Sequence, residues 1–510
     1  MKLTGLLFAA ALLGTCTQPA AEENYTRHVD PKIGTGGHGH VFVGANVPFG
    51  LVQVGPTSIP QTWDWCSGYH ASDSTVIGFS HTHLSGTGIG DLFDVTVMPV
   101  TGEVTYARGT EDDPTSGLWS YADRTQEIAR PGYYSVPLTR YGIRAELTAT
   151  ARVGLHRYTF PASDAAAVVF DLENGGCWDK ATETHLAKEG DRTVTGWRHS
   201  TGWAKDQRVY FAAEFSKPFE KFETIGDNYA RASFRTTDGE QVSLKVALSP
   251  VSVEGARENL AAELPGWDFE ETAKAADKAW NDELSKVKIE TADETARRIF
   301  YTALYHTMIA PSLFCDVNGD YYGSDHAIHR NADFTNYTTF SLWDTYRAAM
   351  PLMTVLHPEK MADIVQTMLH IADEQGRLPV WHLWGNETDC MVGNPGIVAV
   401  ADAIVKGIGG FDREKAFEAI RKTAMNPDRG NGLRMEYGYI PCEMFNEAVA
   451  YDMEYALADG AAARAAETLG KAEDAKYFEE RSHSYRNYFD PATRFMRGRD
   501  SRKGWRTPFN

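Results

Sequence analysis

The chain contains 510 residues, of which 43% are hydrophobic and 23% are charged, a composition that is ordinary for a globular protein. That length is enough for roughly two to four domains. The 69 acidic residues outnumber the 50 basic ones and give a formal net charge of −19, which disfavours binding to phosphate groups. Composition therefore excludes nucleic acid as a leading partner and favours a neutral or cationic ligand.

The N-terminus predicts an export signal over residues 1–21. This stretch contains a lysine, an apolar run from Leu6 to Leu13 and then small residues, and the run is too short to span a membrane. Cys16 follows a sequence similar to a relaxed bacterial lipobox, so two forms of processing stay open: lipidation of Cys16, which would tether the protein to a membrane, or ordinary signal-peptidase cleavage nearby. We therefore expect an exported bacterial protein, either periplasmic or an outer-membrane lipoprotein.

The remaining chain changes character once, from β-rich to helical. Short β-rich runs separated by turn residues extend from about Val29 to Val253 and predict an antiparallel β-sandwich. From Asp268 onward, apolar residues recur at every third or fourth position, which predicts helices. We therefore predict an α+β multidomain chain with these parts: a β-sandwich domain over 25–265, a helical linker over 266–289 and a helical domain over 290–510. Helices are predicted in the last of these at 341–356, 358–375, 412–424, 443–467 and 472–488.

The segment from Trp63 to Asp91 predicts a binding surface. It crowds Trp, His, Ser, Asp and Gly together, and it offers flat apolar faces beside carboxylates and flexible glycine backbone. Aromatic faces next to hydrogen-bond acceptors suit a sugar ring. The alternative is a glycine-rich loop that joins two strands, with its tryptophans filling the core.

Two loops between the predicted helices are also rich in aromatic and charged residues. One contains Trp343, Asp344 and Arg347, and the other contains Asn386 and Glu387. In the first loop the alternative to a binding role is a packing cluster with an Asp344–Arg347 ion pair, since residues three apart share a helix face. The second loop is harder to explain by packing, because Glu is seldom buried without a partner.

Taken together, these motifs resemble glycoside hydrolase family 92, the calcium-dependent, exo-acting α-mannosidases of mainly bacterial origin. The resemblance covers nearly the whole mature chain and is carried by ordered motifs at 29–40, 47–53, 63–91, 342–347, 378–388, 438–441 and 488–509. It implies an N-terminal β-sandwich, a helical linker and an (α/α)6 toroid, with the active site between the two domains. It also implies mannose-containing glycans as substrates and calcium as cofactor, and nothing in the sequence points to a protein partner.

The resemblance assigns binding roles residue by residue. The residues expected to contact mannose hydroxyls are Trp65, Cys66, His70, Trp343, Asp344, Arg347, Asn386 and Glu387. The implied reaction is inverting hydrolysis, in which one carboxylic acid protonates the leaving oxygen and another carboxylate activates water. Calcium is expected to bind sugar hydroxyls, because it is a hard ion that takes oxygen ligands.

The family pattern is not complete within these 510 residues. A toroid of twelve helices with their loops needs well over about 300 residues, and 290–510 supplies 221. We therefore expect an incomplete toroid, with the general acid, the general base and most calcium ligands beyond Asn510. No catalytic residue is assigned, and we do not expect the 510 residues alone to hydrolyse a glycoside.

Two other functions stay open at this point. In one, the chain is a non-catalytic mannoside-binding protein whose pocket loops hold sugar without cleaving it. In the other, the His38–His40 and His81–His83 pairs bind zinc in a metal-dependent hydrolase, since alternate residues of a strand share a face. The absence of a carboxylate at a standard spacing argues against the second.

Overall fold

The computed structural model describes residues 23–113 and 115–509. The predicted signal peptide at 1–21 and Cys16 therefore lie outside the described residues. Among the residues that are described, no helix is both long enough and apolar enough to cross a membrane.

The N-terminal half forms two open antiparallel sheets that share one hydrophobic core. The strands of this half are β1 (Gly55–Thr57), β2 (Thr75–Val76), β3 (Gly78–Ser80), β4 (Thr96–Thr101), β5 (Ser120–Tyr121), β6 (Ile128–Arg130), β7 (Tyr133–Leu138), β8 (Ile143–Ala149), β9 (Val153–Phe160), β10 (Ser163–Asp171), β11 (Lys180–Glu189), β12 (Thr193–Thr201), β13 (Gln207–Phe215), β14 (Lys221–Ile225), β15 (Tyr229–Thr236) and β16 (Glu240–Ser249). One sheet has the order β1-β3-β4-β10-β15-β14, and the other has the order β11-β12-β13-β16-β9-β8-β7-β6. β2 and β5 pair with each other outside both sheets.

Alternation along β8 shows why these residues form a sandwich. Ile143, Ala145 and Leu147 are buried, whereas Arg144 and Glu146 between them are half-buried. Successive side chains of a strand point to opposite faces, so this pattern places one apolar face against the facing sheet. The predicted antiparallel sandwich is confirmed.

Eleven helices follow within the described residues. They are α1 (Val253–Glu263), α2 (Phe269–Leu284), α3 (Glu294–His306), α4 (Leu342–Thr345), α5 (Ala349–Leu356), α6 (Pro358–Gln375), α7 (Pro395–Val405), α8 (Arg413–Met425), α9 (Asn431–Tyr437), α10 (Ala448–Thr468) and α11 (Ala472–Arg481). Short strands lie between and after them: β17 (Ser312–Leu313), β18 (Tyr321–Tyr322), β19 (Ile328–His329), β20 (Tyr337–Thr338), β21 (Phe340–Ser341), β22 (Trp381–Leu383), β23 (Asn386–Glu387), β24 (Phe489–Asp490) and β25 (Phe495–Met496). A helical domain therefore follows the sandwich, as predicted.

Helix boundaries differ from the prediction in two informative places. The single helix predicted over 341–356 is interrupted between α4 and α5, and this interruption contains Arg347. The helix predicted from residue 443 begins only at Ala448, because Glu447 adopts a left-handed conformation with φ 56°. A residue in that conformation cannot extend a right-handed helix.

The sandwich and the helical domain share parts of their cores. Trp381 and Trp384 of the helical domain belong to the sandwich core, while Phe42 and Phe49 belong to the helical core. The Trp280 indole donates a 2.7 Å hydrogen bond to a backbone carbonyl of the N-terminal half. The two halves are therefore packed in one fixed arrangement.

Candidate functional site

The sandwich side of the junction presents Trp63 at its surface. Trp63 begins a 3-10 helix over Trp63–Trp65, its side chain is 50% exposed, and its Nε1 donates a 2.8 Å hydrogen bond to the carbonyl of Gly88. A Cβ at position 88 would lie 2.4 Å from the indole, so the glycine there is required for this close packing. The result is a fixed, exposed aromatic face.

The other predicted sandwich residues lie beneath that surface. Trp65 stacks on His70 with ring centroids 4.3 Å apart and donates a 2.7 Å hydrogen bond to Asp73. His70 is buried and its Nε2 lies 3.1 Å from the carbonyl of Gly37. Cys66 is also buried, and burial raises the pKa of its thiol to about 12. These three side chains support the loop from below.

Asp91, at the end of the same segment, is fully buried. Its Oδ2 accepts a 2.9 Å hydrogen bond from the backbone of Ala204, and its Oδ1 has no hydrogen-bond partner among the described residues. Burial raises the pKa of this carboxyl to about 6. Asp91 thereby connects the predicted binding segment to the loop that precedes β13.

The backbone is strained immediately after Asp91. Leu92, Phe93 and Val95 are buried and have φ values of 74°, 67° and 51°. Non-glycine residues in this region cost about 1–3 kcal/mol each and concentrate at functional sites, where the surrounding structure holds them. The strain supports the interpretation of the preceding segment as a binding surface.

The helical side of the junction holds Asp344 and Arg347. Asp344 is exposed and accepts a 2.5 Å hydrogen bond from Ser341. Arg347 does not pair with Asp344; its Nη2 donates a 2.8 Å hydrogen bond to Oε1 of Glu454 on α10, and this partner raises the pKa of the guanidinium. The Arg347 guanidinium also lies 4.6 Å above the Trp343 ring. The internal Asp344–Arg347 ion pair considered from the sequence is therefore wrong.

The two sides meet at a cavity of about 160 Å³. The loop at 85–87 lines it from the sandwich, and Asp344 and Thr339 line it from the helical domain. Thr339 has a left-handed φ of 65°, so strain occurs on this side as well. A larger recess of about 680 Å³ lies on the sandwich around residues 173–184, but none of the predicted residues lines it. The smaller cavity combines both walls and is the better candidate.

Asn386 and Glu387 are engaged by backbone groups. The Asn386 side chain accepts a 3.0 Å hydrogen bond from the Asp206 amide and donates a 2.9 Å bond to the Asp206 carbonyl. Glu387 accepts bonds of 2.8 and 2.9 Å from the amides of Val380 and Trp381. Burial raises the pKa of Glu387, but the charge of Arg377 and these amides outweigh it, and the net shift is downward. Both residues hold the loop and its junction with the sandwich.

Two of these contacts were not recognised from the sequence. Glu454 lies 107 residues from Arg347 along the chain, and Asp206 lies 180 residues from Asn386. Contacts between residues so far apart along the chain leave no pattern in the local sequence. The resemblance noted from the sequence also extends to Glu454–Ala456, and this was the available signal for Glu454.

The group of candidate metal ligands found among the described residues is not of the kind that calcium prefers. The group of potential metal ligands among them is Asp325, His329 and Glu374, which offers two carboxylates and one imidazole nitrogen. Calcium takes 6–8 oxygen ligands, typically from carboxylates, carbonyls and water, so this group does not match its chemistry.

The two histidine pairs differ in their surroundings. His38 Nδ1 and His40 Nε2 lie 2.9 and 3.6 Å from Asp64 Oδ1, but among the described residues these three do not form a group whose ligand atoms all lie within 4.8 Å of one another.

His81 and His83 are held in the core instead. His81 Nδ1 contacts the Val95 carbonyl at 2.6 Å and its Nε2 contacts His156 at 2.9 Å. His83 Nδ1 contacts the Gln53 carbonyl at 2.8 Å. Both imidazoles are fully engaged in the core, and burial lowers the pKa of each to about 4.

Comparison with known proteins identifies the family. Residues 28–249 match the model of the glycosyl hydrolase family 92 N-terminal domain, and residues 255–510 match the model of the glycosyl hydrolase family 92 catalytic domain. The chain belongs to glycoside hydrolase family 92. The boundary between the two matched domains lies at the end of β16 and the start of α1.

Solved structures of family 92 resemble the chain over nearly its full length. A family GH92 α-mannosidase from Bacteroides thetaiotaomicron in complex with mannoimidazole is 40% identical with a TM-score of 0.92, over 96% of this chain and 67% of that one. A family GH92 inverting mannosidase from the same organism is 28% identical with a TM-score of 0.87, over 97% and 69%. An uncharacterized secreted glycosidase of Arthroderma benhamiae is 26% identical over 94% of this chain and 64% of that protein. The chain thus spans about two thirds of the length of these three proteins.

Proposed function

We propose that the junction between the sandwich and the helical domain binds the terminal α-mannosyl residue of glycans, as part of an inverting α-mannosidase. The observation that carries this proposal is the position of Asp344, exposed in a cavity that the sandwich loop at 85–87 closes from the other side. Support comes from the family 92 α-mannosidase in complex with mannoimidazole, which is 40% identical to this chain.

The proposed contacts follow from which side chains are accessible. The Asp344 carboxylate can accept hydrogen bonds from two neighbouring hydroxyls, while the guanidinium of Arg347, oriented by Glu454, donates to another. Trp63 offers its exposed indole face to the apolar side of a sugar. Hydrogen bonds to charged groups contribute about 1.5–3 kcal/mol each, so Asp344 and Arg347 carry most of the recognition.

The remaining predicted residues have positioning roles in this proposal. Trp65, Cys66 and His70 hold the sandwich loop, and Asn386 and Glu387 hold the helical one. Trp343 supports the Arg347 guanidinium from below. None of these residues is assigned as general acid or general base.

Hydrolysis is proposed to proceed with inversion, by protonation of the leaving oxygen and attack of an activated water on the opposite face. Calcium dependence is proposed from family membership. No residue is assigned to hold the ion, and no step is assigned to it.

The stereochemistry of the product tests the reaction. The protein is incubated with 4-nitrophenyl α-mannoside, and the anomeric protons are followed by NMR before mutarotation. Inverting hydrolysis releases β-mannose first, whereas early α-mannose would contradict the proposal. Binding of the mannoside without any product is the result that the sequence-based expectation predicts for these 510 residues alone, and it would retain the mannose site without assigning hydrolysis to them.

Export is proposed as well, with residues 1–21 as signal peptide and Cys16 as the lipidated residue. The similarity to a secreted glycosidase supports export in general. Expression in a bacterium with labelled palmitate should label the wild-type chain but not a Cys16→Ala variant. A wild-type chain that is exported without label would contradict lipidation.

A further inference from the structure

A second group of chemically active side chains lies at the hairpin formed by β18 and β19. Asp325 lies in its turn, His329 lies in β19, and Glu374 projects from the last turn of α6 toward both. His329 Nε2 is 3.1 Å from Asp325 Oδ1 and 3.4 Å from Glu374 Oε1. All three donor atoms lie within 4.8 Å of one another. None of these residues lines the cavity of the proposed sugar site.

The charge of this group is not balanced by the protein. The Glu374 side chain is 6% exposed, and within the described part of the chain its ionic partner is His329, which also serves Asp325. The buried carboxylate of Asp94, by contrast, pairs with Arg198 at 2.7 Å. A buried carboxylate without a permanent cation is unfavourable, and a divalent ion would neutralise the two acids.

The donor atoms are held in place from outside the group. The ring of Tyr321 stacks on His329 with centroids 4.8 Å apart and planes within 10°, which fixes the direction of Nε2. The Tyr321 hydroxyl donates a 2.9 Å hydrogen bond to Glu374 Oε1, and the amide of Ser324 donates a 2.7 Å bond to Oε2. Metal ligands are characteristically oriented by such supporting contacts.

We propose that Asp325, His329 and Glu374 bind a divalent transition-metal ion, with zinc as the reference ion and water completing the coordination. Tetrahedral zinc with bonds of about 2.0–2.1 Å places its ligand atoms roughly 3.3–3.4 Å apart. The distances of 3.1 and 3.4 Å from His329 Nε2 match that spacing within a few tenths of an ångström. One imidazole and two carboxylates also suit zinc better than calcium.

The ion would stabilise the junction between the domains. The same hairpin carries Tyr322, whose hydroxyl donates a 3.0 Å hydrogen bond to Asp206 of the sandwich, and Asn386 grips the backbone of that same Asp206. Metal binding would join the hairpin to α6 and so limit the movement of the hairpin, which contacts the sandwich through Tyr322. The site is structural, and it does not depend on the proposed hydrolysis.

Zinc titration of the full chain tests this proposal. The protein, carrying a tag without histidine, is freed of metal by chelation and titrated calorimetrically with zinc chloride. We expect one equivalent to bind, with a rise in melting temperature of about 2 °C or more. Millimolar calcium should not displace it. Failure to bind one equivalent, or displacement by calcium, would overturn the proposal.

Variants locate the ion. His329→Gln and Asp325→Asn change partly exposed side chains, so the fold should persist, which circular dichroism checks. Each should weaken zinc binding by about tenfold or more. Glu183→Gln is the matched control, because Glu183 lies 3.6 Å from His199 on the sandwich without a third ligand, and it should leave binding unchanged. Unchanged zinc affinity in a folded His329→Gln variant would place the ion elsewhere and reject the site. Cobalt bound at the site should show tetrahedral absorption bands that His329→Gln removes.

Discussion

Arg347 donates its 2.8 Å hydrogen bond to Glu454 on α10, and Asp344, three residues earlier in the chain, has no ion pair within the part of the chain that the structure describes. Tyr346 donates a second bond of 2.8 Å to the same carboxylate. This arrangement orients the guanidinium while keeping the Asp344 carboxylate available. It separates two charges that would otherwise neutralise each other.

Removing the Arg347 charge should weaken mannoside binding. We expect Arg347→Met to lose about 1.5–3 kcal/mol of binding free energy, because a charged donor to a sugar hydroxyl disappears. Glu454→Gln should lose less, since it retains a hydrogen-bond acceptor for Arg347. Calorimetric titration with methyl α-mannoside measures both, with Arg486→Met on an exposed face as control. Equal affinity in Arg347→Met and wild type would refute the assignment.

Asn386 should matter for stability rather than for sugar contact. Asn386→Ala leaves the amide and carbonyl of Asp206 without these partners, which should cost about 1–3 kcal/mol of unfolding free energy. Urea unfolding measures this change. Gln126→Ala, which removes a contact to Asp123 on the surface, should cost much less. If both variants are equally stable, Asn386 does not hold the junction.

The contact between His81 and His156 predicts loss of stability in acid. His81 Nδ1 donates to the Val95 carbonyl. When both rings are neutral, His156 therefore donates to His81 Nε2 and Tyr158 donates to His156 Nδ1. Burial lowers the pKa of His81 to about 4 from its ordinary 6.5, and burial also lowers the pKa of His156 well below its ordinary value. The unfolded chain therefore binds protons that the folded chain excludes. The stabilisation is complete above pH 6.5 and is lost as the pH falls toward 4.

His81 alone contributes roughly 3 kcal/mol to this loss, by linkage between its folded and unfolded pKa values. Asp91 and Asp316 act in the opposite direction, because burial raises the pKa of each to about 6. Across the ranges that the structure describes, buried histidines with a lowered pKa outnumber the buried carboxyls whose pKa is raised to about 6. The unfolding free energy should therefore fall between pH 7 and pH 5. Urea denaturation at both pH values measures this fall. The control variant His185→Gln changes an exposed histidine and should show the same fall as wild type. An unfolding free energy that stays constant between pH 7 and pH 5 would contradict the neutral state of the buried imidazoles.

Cys66 should resist alkylation in the folded protein. Its thiol is buried and burial raises its pKa to about 12, so little thiolate forms at pH 8. Half-buried Cys442 is the internal comparison. Mass spectrometry after brief iodoacetamide treatment should find Cys66 modified only after denaturant is added. Rapid labelling of native Cys66 would show that it lies on the pocket surface.

Much of the fold could be predicted from the sequence because its signals are local. Alternation such as that along β8 predicts a half-buried strand, and α6 was predicted with its observed bounds, since Pro358 begins it and Gly376 follows it in a left-handed conformation. The break before α5 was missed. There, Tyr346 and Arg347 bind Glu454, a contact that no local pattern encodes.

Of the eight residues predicted to contact sugar, Asp344 is the one that lines the cavity at the junction. Asp344 and Asn386 look alike in the sequence, as polar residues in aromatic loops. In the structure Asp344 faces a cavity, whereas the amide of Asn386 is used by the backbone of Asp206. Those roles depend on contacts across the domain junction, which the sequence does not display.

Binding of mannoimidazole by wild type and by Asp344→Asn tests the central claim most directly, with Asp238→Asn in the exposed turn before β16 as control. Calorimetric titration should show binding to wild type and to the control, and affinity at least about tenfold weaker for Asp344→Asn, since a charged acceptor is replaced by a neutral amide. Equal affinity of all three proteins, or no binding by wild type, would contradict a mannose site at the junction.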